Sequence, residues 1–410
     1  MRVALIIAPI VAALIAAAPL PARAADAAFQ QFLQSLRPQA EQRGISRATF
    51  DAATRDLEPD LSLPDLTIPG QPKRVDQQPE FVQTPADYLR EASLTRLAAQ
   101  GRALAAEHRA TLARIERDFG VPASVVLAIW GRESGFGRAS NGRDAIRVLA
   151  TQAYLGRRKE QFREELLFLL KMLQEGHATR AQLRSSWAGA MGLTQFLPSE
   201  FYQHAVDFDG DGRRDIWNSV PDALASAAKQ LVNKGWQRDQ RWAFEVRAPK
   251  NVDCTVAQPG HTMPVGVWLE RGYAPLGGRK PSAAEQAEAA SLLLPEGTYG
   301  PAFLTLKNYY VIKDYNFSDL YVLFVGNLAD RIAGGGPFVT PWSKASQLHT
   351  TDVERMQQTL TRLGLYQDKI DGKAGMLTRS ALGAYQKANG LKLDCWPTRA
   401  VLDHMANSKP

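Results

Sequence analysis

The chain has 410 residues, of which 45% are hydrophobic and 22% are charged, with 31 glycines, 24 prolines and two cysteines. This balance is typical of a folded protein and excludes disordered, collagen-like and disulfide-framework chains. At roughly 100–200 residues per domain, the length predicts two to three domains. The formal net charge of +7 is a mild excess and the basic residues are scattered, which does not indicate nucleic-acid binding.

The N-terminus has the pattern of a secretory signal. A short positive start precedes an apolar run over residues 3–19, and small residues follow before a cleavage site. The pattern predicts that residues 1–24 are a signal peptide cut after Ala24. A membrane anchor is the alternative, but Pro9 and the short, alanine-rich run disfavour it, because a span needs about 20 apolar residues. No cysteine lies near the cut for lipid attachment, and we expect no membrane span in the mature chain.

The first half of the chain has the apolar spacing of helices. An N-terminal segment over residues 25–85 combines a helical stretch at 28–55 with a proline-rich strap or linker from Glu58 to Pro85. Further helices are predicted over 86–118, from Val121-Pro122 onward, and over 159–175.

The second half changes character. Alternating apolar residues, such as those of Val265-Gly266-Val267-Trp268, stand among proline and glycine turns over residues 242–306, which predicts a small β insert. Helical spacing returns over residues 317–332. A glycine-rich break at 334–337 then separates this region from the rest of the chain.

Residues 350–407 form a separate predicted module, a compact helical bundle. Thr378 is a candidate N-cap, and Gly390 ends the helix that follows it. A structural cap is the alternative to a binding module, because the spacing alone specifies no ligand. Cys254 and Cys395 are the only cysteines, and the sequence leaves open whether they form a disulfide or two separately buried thiols.

The first candidate site is Glu133, the carboxylate in the segment GRESGFG at residues 131–137. It lies at the predicted C-terminal end of an apolar helix, where the negative end of the helix dipole opposes a charged carboxylate. Apolar neighbours such as Trp130 add a desolvation cost, so both effects favour the protonated form that a general acid requires. An ordinary solvated glutamate at a helix end is the alternative.

The second candidate site is the segment SWAGAMGLTQFLPS at residues 186–199. Its small residues permit close backbone approach, either to a ligand or to a packed helix. Ser186 and Gln195 are polar positions in this otherwise apolar stretch. Packing alone explains the small residues equally well.

The third candidate site is DFDGDGRRDIWN at residues 207–218, which matches the EF-hand calcium loop. Asp207, Asp209 and Asp211 offer acidic oxygens at alternate positions, glycine permits the turn, and Arg213 offers its carbonyl. The loop departs from the pattern at its last position, where Asn218 replaces a bidentate glutamate. We predict a calcium site, with a solvated acidic turn as the alternative.

These three segments, followed by NYYVIKDYN at residues 308–316, resemble in their order the lytic murein transglycosylases of the B type. The resemblance extends from about Gln78 through Gly336, and its second segment is highly specific. Residues 360–391, LTRLGLYQDKIDGKAGMLTRSALGAYQKANGL, resemble the small peptidoglycan-binding domain of cell-wall enzymes.

The resemblance implies a mainly α (α+β) fold with a lysozyme-like core. The catalytic region would span residues 86–336 with flanking helices and the β insert, and a three-helix peptidoglycan-binding bundle would span 350–407. It also implies a periplasmic enzyme whose substrate and partner is the MurNAc–GlcNAc glycan of peptidoglycan. The sequence does not identify any cell-wall enzyme as a protein partner.

Glu133 matches the family's catalytic carboxyl. The resemblance implies that it protonates the glycosidic oxygen and then, as a carboxylate, takes the proton of the MurNAc 6-hydroxyl. That hydroxyl attacks the anomeric carbon to give a 1,6-anhydro sugar, with assistance from the N-acetyl group. Neither water nor a cofactor is consumed, and the carboxyl pair of ordinary glycosidases is not needed.

The resemblance also assigns binding residues. The family's sugar-contacting positions correspond to Ser186, Gln195, Tyr315, Asn316 and Tyr321. A structural calcium ion would be held by Asp207, Asp209, Asp211, the Arg213 carbonyl and Asp222. The chain departs from the family at Lys229-Gln230, where similar sequences often have Asn-Tyr, and this departure concerns one stacking or hydroxyl contact in the sugar cleft.

Two alternative functions stand beside this one. A lysozyme-type hydrolase on the same core would need a water held opposite Glu133, for which no second carboxylate is identifiable in the sequence. A non-catalytic wall-binding protein would use the terminal bundle, but it has no use for an acid in the setting of Glu133.

Overall fold

The computed structural model describes five parts of the chain: residues 27–70, 83–139, 142–277, 280–343 and 348–407. The predicted signal peptide and part of the predicted linker, residues 71–82, lie outside the described residues. Among the helices that are described, none combines the length and the apolar character needed to cross a bilayer.

Proline and glycine residues set helix boundaries in the first half of the chain. The helical stretch predicted over residues 28–55 is divided into three, because Pro38 lies in the first turn of a new helix and Gly44, with φ +77°, follows its end. In chain order these helices are α1 (Ala27–Ser35), α2 (Arg37–Gln42), α3 (Arg47–Thr54), α4 (Pro85–Tyr88), α5 (Glu91–Glu107), α6 (Arg109–Phe119), α7 (Ala123–Ser134), α8 (Ala145–Leu155) and α9 (Lys159–Gln174).

The second half contains shorter helices around the β insert and three helices at the C-terminus. They are α10 (Pro198–His204), α11 (Val220–Asn233), α12 (Val265–Glu270), α13 (Ala283–Ala287), α14 (Lys307–Asn316), α15 (Asp319–Ile332), α16 (Thr350–Arg362), α17 (Met376–Ala388) and α18 (Arg399–Asn407). The mainly helical class predicted from the sequence is confirmed.

Two apolar cores of the helical region lie on either side of the segment 186–199. One core is built on α7 and α15, which are apolar nearly all round and are buried along most of their length. The other is built on α8 and α9, and the N-terminal helices α1 to α3 pack on it. Met191 and Phe196 belong to the second core, Leu193 packs against the first, and Tyr315 packs against both. The segment and Tyr315 therefore lie at the junction of two lobes.

The β insert is an antiparallel sheet between α11 and α14. The strands of the chain are β1 (Arg143–Asp144), β2 (Arg184–Ser185), β3 (Ala243–Arg247), β4 (Thr262–Pro264), β5 (Ala274–Pro275), β6 (Ala289–Leu293), β7 (Pro295–Thr298) and β8 (Ala302–Thr305). The strand order in the sheet of the insert is β4-β6-β8-β3-β5, and β7 and a two-stranded ladder β1-β2 lie outside it. Residues 265–268, expected as part of the β-rich pattern, form helix α12 instead: Val265 and Trp268 are buried, and their spacing of three fits one face of a helix.

The terminal bundle consists of α16, α17 and α18 around a small apolar core of its own. Its second helix starts two residues before the predicted cap: Gly375 is the N-cap, and Thr378 lies buried inside the first turn. The Thr378 hydroxyl donates to the carbonyl of Lys373 and accepts from the Gln357 side chain, which fixes the turn before α17. The bundle is linked to the β insert by a disulfide between Cys254 and Cys395.

Candidate active site

Glu133 occupies the last turn of α7, and it is half-buried. The helix ends at Gly135, which adopts the left-handed conformation (φ +57°) that favours glycine. The carboxylate Oε1 of Glu133 accepts a hydrogen bond of 2.5 Å from the hydroxyl of Tyr321, on α15. The helix therefore presents this carboxyl to a phenol that lies 188 residues further along the chain.

A second tyrosine supports the first. The rings of Tyr315 and Tyr321 are stacked, with centroids 6.2 Å apart and an angle of 13° between their planes. Burial, followed by the nearby charge of Glu133, raises the pKa of both phenols well above its ordinary value. Both hydroxyls therefore remain protonated donors across the physiological pH range.

Two hydrogen bonds attach the segment 186–199 to this centre. The Ser134 hydroxyl donates to the carbonyl of Leu193 at 2.7 Å, and the Tyr315 hydroxyl donates to the carbonyl of Thr194 at 2.7 Å. The segments at residues 131–137, 186–199 and 308–316 therefore meet at this centre. Sequence reasoning missed Ser134 and Thr194, since a serine beside the acid and a carbonyl in a loop have no distinguishing pattern.

The glycines of this segment are required by close packing. Gly189 has φ +87°, and a Cβ there would lie 2.3 Å from a methyl carbon of Leu149. Gly192 has φ +75°, and a Cβ there would lie 2.7 Å from the carbonyl oxygen of Ile216. Of the two explanations that the sequence left open, the structure therefore supports packing at these two positions.

The remaining predicted sugar-binding residues lie around the same junction. The Ser186 hydroxyl accepts from the backbone N–H groups of Ala188 and Ala190 and so organises its own loop. Gln195 adopts a positive φ of 57°, and its amide nitrogen donates to the carbonyl of Gly192 at 2.8 Å. Asn316 follows Tyr315 at the end of α14, and its Oδ1 atom is buried without a hydrogen-bond partner among the described residues.

Gln230, the second residue of the Lys229-Gln230 departure from the family pattern, points into the protein. It is fully buried on α11, and its amide nitrogen donates to Glu200 Oε1 at 2.9 Å. Burial raises the pKa of Glu200, whose carboxylate also accepts the backbone N–H of Leu197. Gln230 therefore stabilises the start of α10, because it holds the Glu200 carboxylate that accepts the backbone N–H of Leu197 there.

The acidic loop gathers three carboxylates on the surface. One oxygen from each of Asp207, Asp209 and Asp211 lies within 4.8 Å of the others, and all three residues are exposed. The Asp207 carboxylate also accepts the backbone N–H groups of Gly210 and Gly212, which holds the turn in shape. Such a set of hard oxygen donors suits a calcium ion.

Asp222 has a different position from the one expected of a fourth acidic ligand. It is fully buried at the start of α11 and does not join the cluster of the other three. Its two carboxylate oxygens accept the backbone N–H groups of Phe208, Asp209 and Asp215. In this structure Asp222 shapes the loop from inside, because its oxygens are engaged by the loop's own backbone.

The side chains of Arg214 and Asn218, in the second half of the loop, are engaged in contacts within the protein. The Asn218 side chain donates to both carboxylate oxygens of Asp215. Arg214 lies over the ring of Phe201 and contacts His177, so it packs the loop against the second lobe. The candidate cation site is therefore limited to the first half of the loop.

Comparison with known proteins places these features in one family. The sequence model of the transglycosylase SLT domain matches residues 28–330, and that of a peptidoglycan binding domain matches residues 349–405. Membrane-bound lytic murein transglycosylase B of Escherichia coli K12 is 31% identical over 233 residues, which cover 55% of this chain and 61% of that protein.

Solved structures give the same result. SltB3 of Pseudomonas aeruginosa, in complex with NAG-NAM-pentapeptide, is 40% identical with a TM-score of 0.82, over 92% of this chain and 99% of that one. The Escherichia coli lytic transglycosylase Slt35, in complex with calcium, is 25% identical with a TM-score of 0.56, over 74% of this chain and 92% of that one. The chain therefore belongs to the family of transglycosylases with an SLT domain, followed by a peptidoglycan-binding domain, as its sequence motifs predicted.

Proposed function

We propose that this protein is an exported lytic transglycosylase, which cleaves the MurNAc–GlcNAc β-1,4 bond of peptidoglycan and forms 1,6-anhydroMurNAc. The observation that carries the proposal is the hydrogen bond between Tyr321 and Glu133, at the point where the family's segments meet. Family membership supports the reaction type, and the muropeptide bound to SltB3 supports the substrate class.

In the proposed reaction, Glu133 acts twice. As an acid it gives its proton to the glycosidic oxygen while the bond from that oxygen to the MurNAc anomeric carbon breaks. The MurNAc 6-hydroxyl then bonds to the same carbon, and its proton returns to the Glu133 carboxylate. One bond is exchanged for another and no water is consumed. A donor such as Tyr321 stabilises the carboxylate that exists between the two proton transfers.

Residues on the two lobes would hold the sugars. Asn316 has a buried Oδ1 atom with no partner among the described residues, and it lies next to Tyr315 at the junction of the lobes. A buried acceptor of this kind is costly unless a ligand group satisfies it. We assign Asn316, Tyr315, Tyr321, Ser186 and Gln195 to sugar contacts.

The remaining assignments concern the ion, the compartment and the division of labour. Asp207, Asp209, Asp211 and the Arg213 carbonyl would hold a structural calcium ion, for which the calcium complex of Slt35 is a precedent. No step of the reaction passes through this ion. We assign the protein to the periplasm after cleavage behind Ala24, residues 86–336 to catalysis and residues 350–407 to wall binding.

The test is mass spectrometry of products released from purified sacculi by residues 25–410. We expect muropeptides with anhydro ends, and we expect Glu133→Gln to release none while still sedimenting with the sacculi. Glu116→Gln is the matched control, because Glu116 is a solvent-exposed glutamate on the preceding helix. Reducing-end products one water heavier would make the protein a hydrolase. Wall binding without soluble products would make it a binding protein.

A further inference from the structure

The terminal bundle is docked on the catalytic region through α17. Besides the disulfide between Cys254 and Cys395, the Ser380 hydroxyl donates to the carbonyl of Thr255 at 2.7 Å. At the outer edge, Lys387 pairs with Asp253 at 2.9 Å, and both side chains are exposed. The bundle is therefore held covalently as well as by polar contacts.

A buried ion pair between Arg379 of α17 and Asp319 of α15 also crosses this interface. Arg379 Nη2 donates to Asp319 Oδ2 at 2.8 Å, and the two side chains are only 8% and 9% exposed. The other oxygen, Oδ1, accepts from the Tyr309 hydroxyl at 2.7 Å and from Lys313 Nζ at 2.6 Å. One buried carboxylate thus joins α14, α15 and the terminal bundle.

The charges around Asp319 balance its burial. Burial alone would raise the pKa of Asp319, but Lys313 and Arg379 together hold it well below the ordinary range. If a buried carboxylate loses one of two compensating cations, part of its desolvation free energy is no longer offset. Without Arg379, the carboxylate would keep its partners on α14, the Tyr309 hydroxyl and Lys313, and would lose its anchor on α17.

Asp319 is the first residue of α15, and the active-site tyrosines lie on either side of it. Tyr315 is in the last turn of α14, and Tyr321 is in the first turn of α15, where it donates to Glu133. Phe317, at φ +63°, forms the tight turn between the two helices. A displacement of the first turn of α15 would therefore change the distance between Tyr321 and Glu133.

We infer that Arg379 of the terminal bundle is a positioning residue for the active site. By pairing with Asp319 it fixes the first turn of α15 and keeps the Tyr321 hydroxyl within hydrogen-bonding distance of Glu133. The inference rests on the proposed function, in which Glu133 is the acid and base. The bundle is then a structural part of the catalytic centre in addition to any contact that it makes with the wall.

The test compares Arg379→Met with the wild type in the full mature chain, on a short soluble GlcNAc–MurNAc oligosaccharide that does not require wall binding. We expect kcat to fall roughly tenfold, as for a small displacement of catalytic groups, while KM changes less than twofold. Arg379→Lys should recover part of the loss, because it restores the charge. The control is Lys387→Met, which removes a cation from the same helix and interface without touching Asp319.

A double-mutant cycle with Asp319→Asn examines the pairing itself. If Arg379 acts through Asp319, the loss of kcat in the double variant should be smaller than the combined losses of the two single variants. Additive losses would overturn the inference, as would an Arg379→Met variant with a lower melting temperature but unchanged kcat and KM. The latter result would make the ion pair purely structural.

A crystal structure of Arg379→Met gives a readout that does not depend on activity. We expect the distance between the Tyr321 hydroxyl and Glu133 Oε1 to lengthen beyond hydrogen-bonding range. An unchanged distance would overturn the inference, whatever products the wild type releases from peptidoglycan. A wild type that releases no anhydro sugars would overturn the proposed function alone.

Discussion

At the residue scale, the hydrogen bond from Tyr321 to Glu133 makes the first prediction. Tyr321→Phe removes one donor to a carboxylate, and such a bond is worth about 1.5–3 kcal/mol. We expect kcat on a soluble oligosaccharide to fall roughly 10- to 100-fold, because each factor of ten corresponds to about 1.4 kcal/mol. Tyr310→Phe is the control, since its hydroxyl contacts Ser291 in the β insert. Equal kcat values for the two variants would contradict the role given to Tyr321.

The position of Glu133 could be predicted from the sequence, but its hydrogen bond with Tyr321 could not, since the resemblance assigned Tyr321 only to sugar contacts. Local spacing places Glu133 at the end of an apolar helix that stops at glycine, and the family resemblance was needed to favour a catalytic acid over a solvated glutamate. Tyr321 lies 188 residues further along the chain, and no local pattern shows that its hydroxyl reaches the carboxylate. Ser134 was missed for a related reason, because its bond to the Leu193 carbonyl depends on how two segments pack.

At the scale of single elements, spacing predicted the long helices and failed for short ones. The helix predicted over residues 159–175 is observed as α9 (Lys159–Gln174) because its apolar stripe is long enough to be unambiguous. Residues 265–268 cover only about one turn, so alternation and helical spacing both fit them, and tertiary packing decides. Asp222 shows the same limit, since the sequence cannot tell a carboxylate that binds a cation from one that binds backbone N–H groups.

The acidic loop makes a prediction at this scale. Removing calcium with a chelator should lower the melting temperature, because an ion that binds only the native state stabilises it. At a free calcium concentration of 100 times Kd, the stabilisation is about 2.7 kcal/mol. Differential scanning calorimetry of residues 25–410, with and without the chelator, measures this difference.

Variants separate the loop from general effects of the chelator. Asp209→Ala should lower the melting temperature in calcium and abolish the response to the chelator. Asp368→Asn, an exposed acidic residue of the terminal bundle, should leave the response unchanged. A wild-type melting curve that does not respond to calcium would make the loop an acidic turn.

At the scale of the whole molecule, the fold class and the order of the segments followed from family resemblance. The docking of the terminal bundle did not, because the ion pair of Arg379 with Asp319 joins residues 60 apart and the disulfide joins residues 141 apart. Contacts of such sequence separation leave no local signal. The sequence could only leave the state of the two cysteines open.

The disulfide makes the last prediction. Replacing Cys254 and Cys395 by serine should lower the free energy of unfolding by about 2–4 kcal/mol, because the open chain gains conformational freedom when unfolded. Urea denaturation followed by circular dichroism measures the change. A reducing agent should produce the same loss in the wild type and none in the double variant. Equal stability of the wild type in both conditions would contradict this expectation.

The number of cysteines has a consequence for how the molecule matures. Since the 410 residues contain two cysteines, there is a single intramolecular pairing, and oxidation has no wrong partner to choose within the chain. Maturation therefore needs an oxidant but no reshuffling of bonds. A wrong disulfide can form only between two molecules. The concentration of newly made chains, rather than the folding of an individual chain, therefore sets the risk of such a bond.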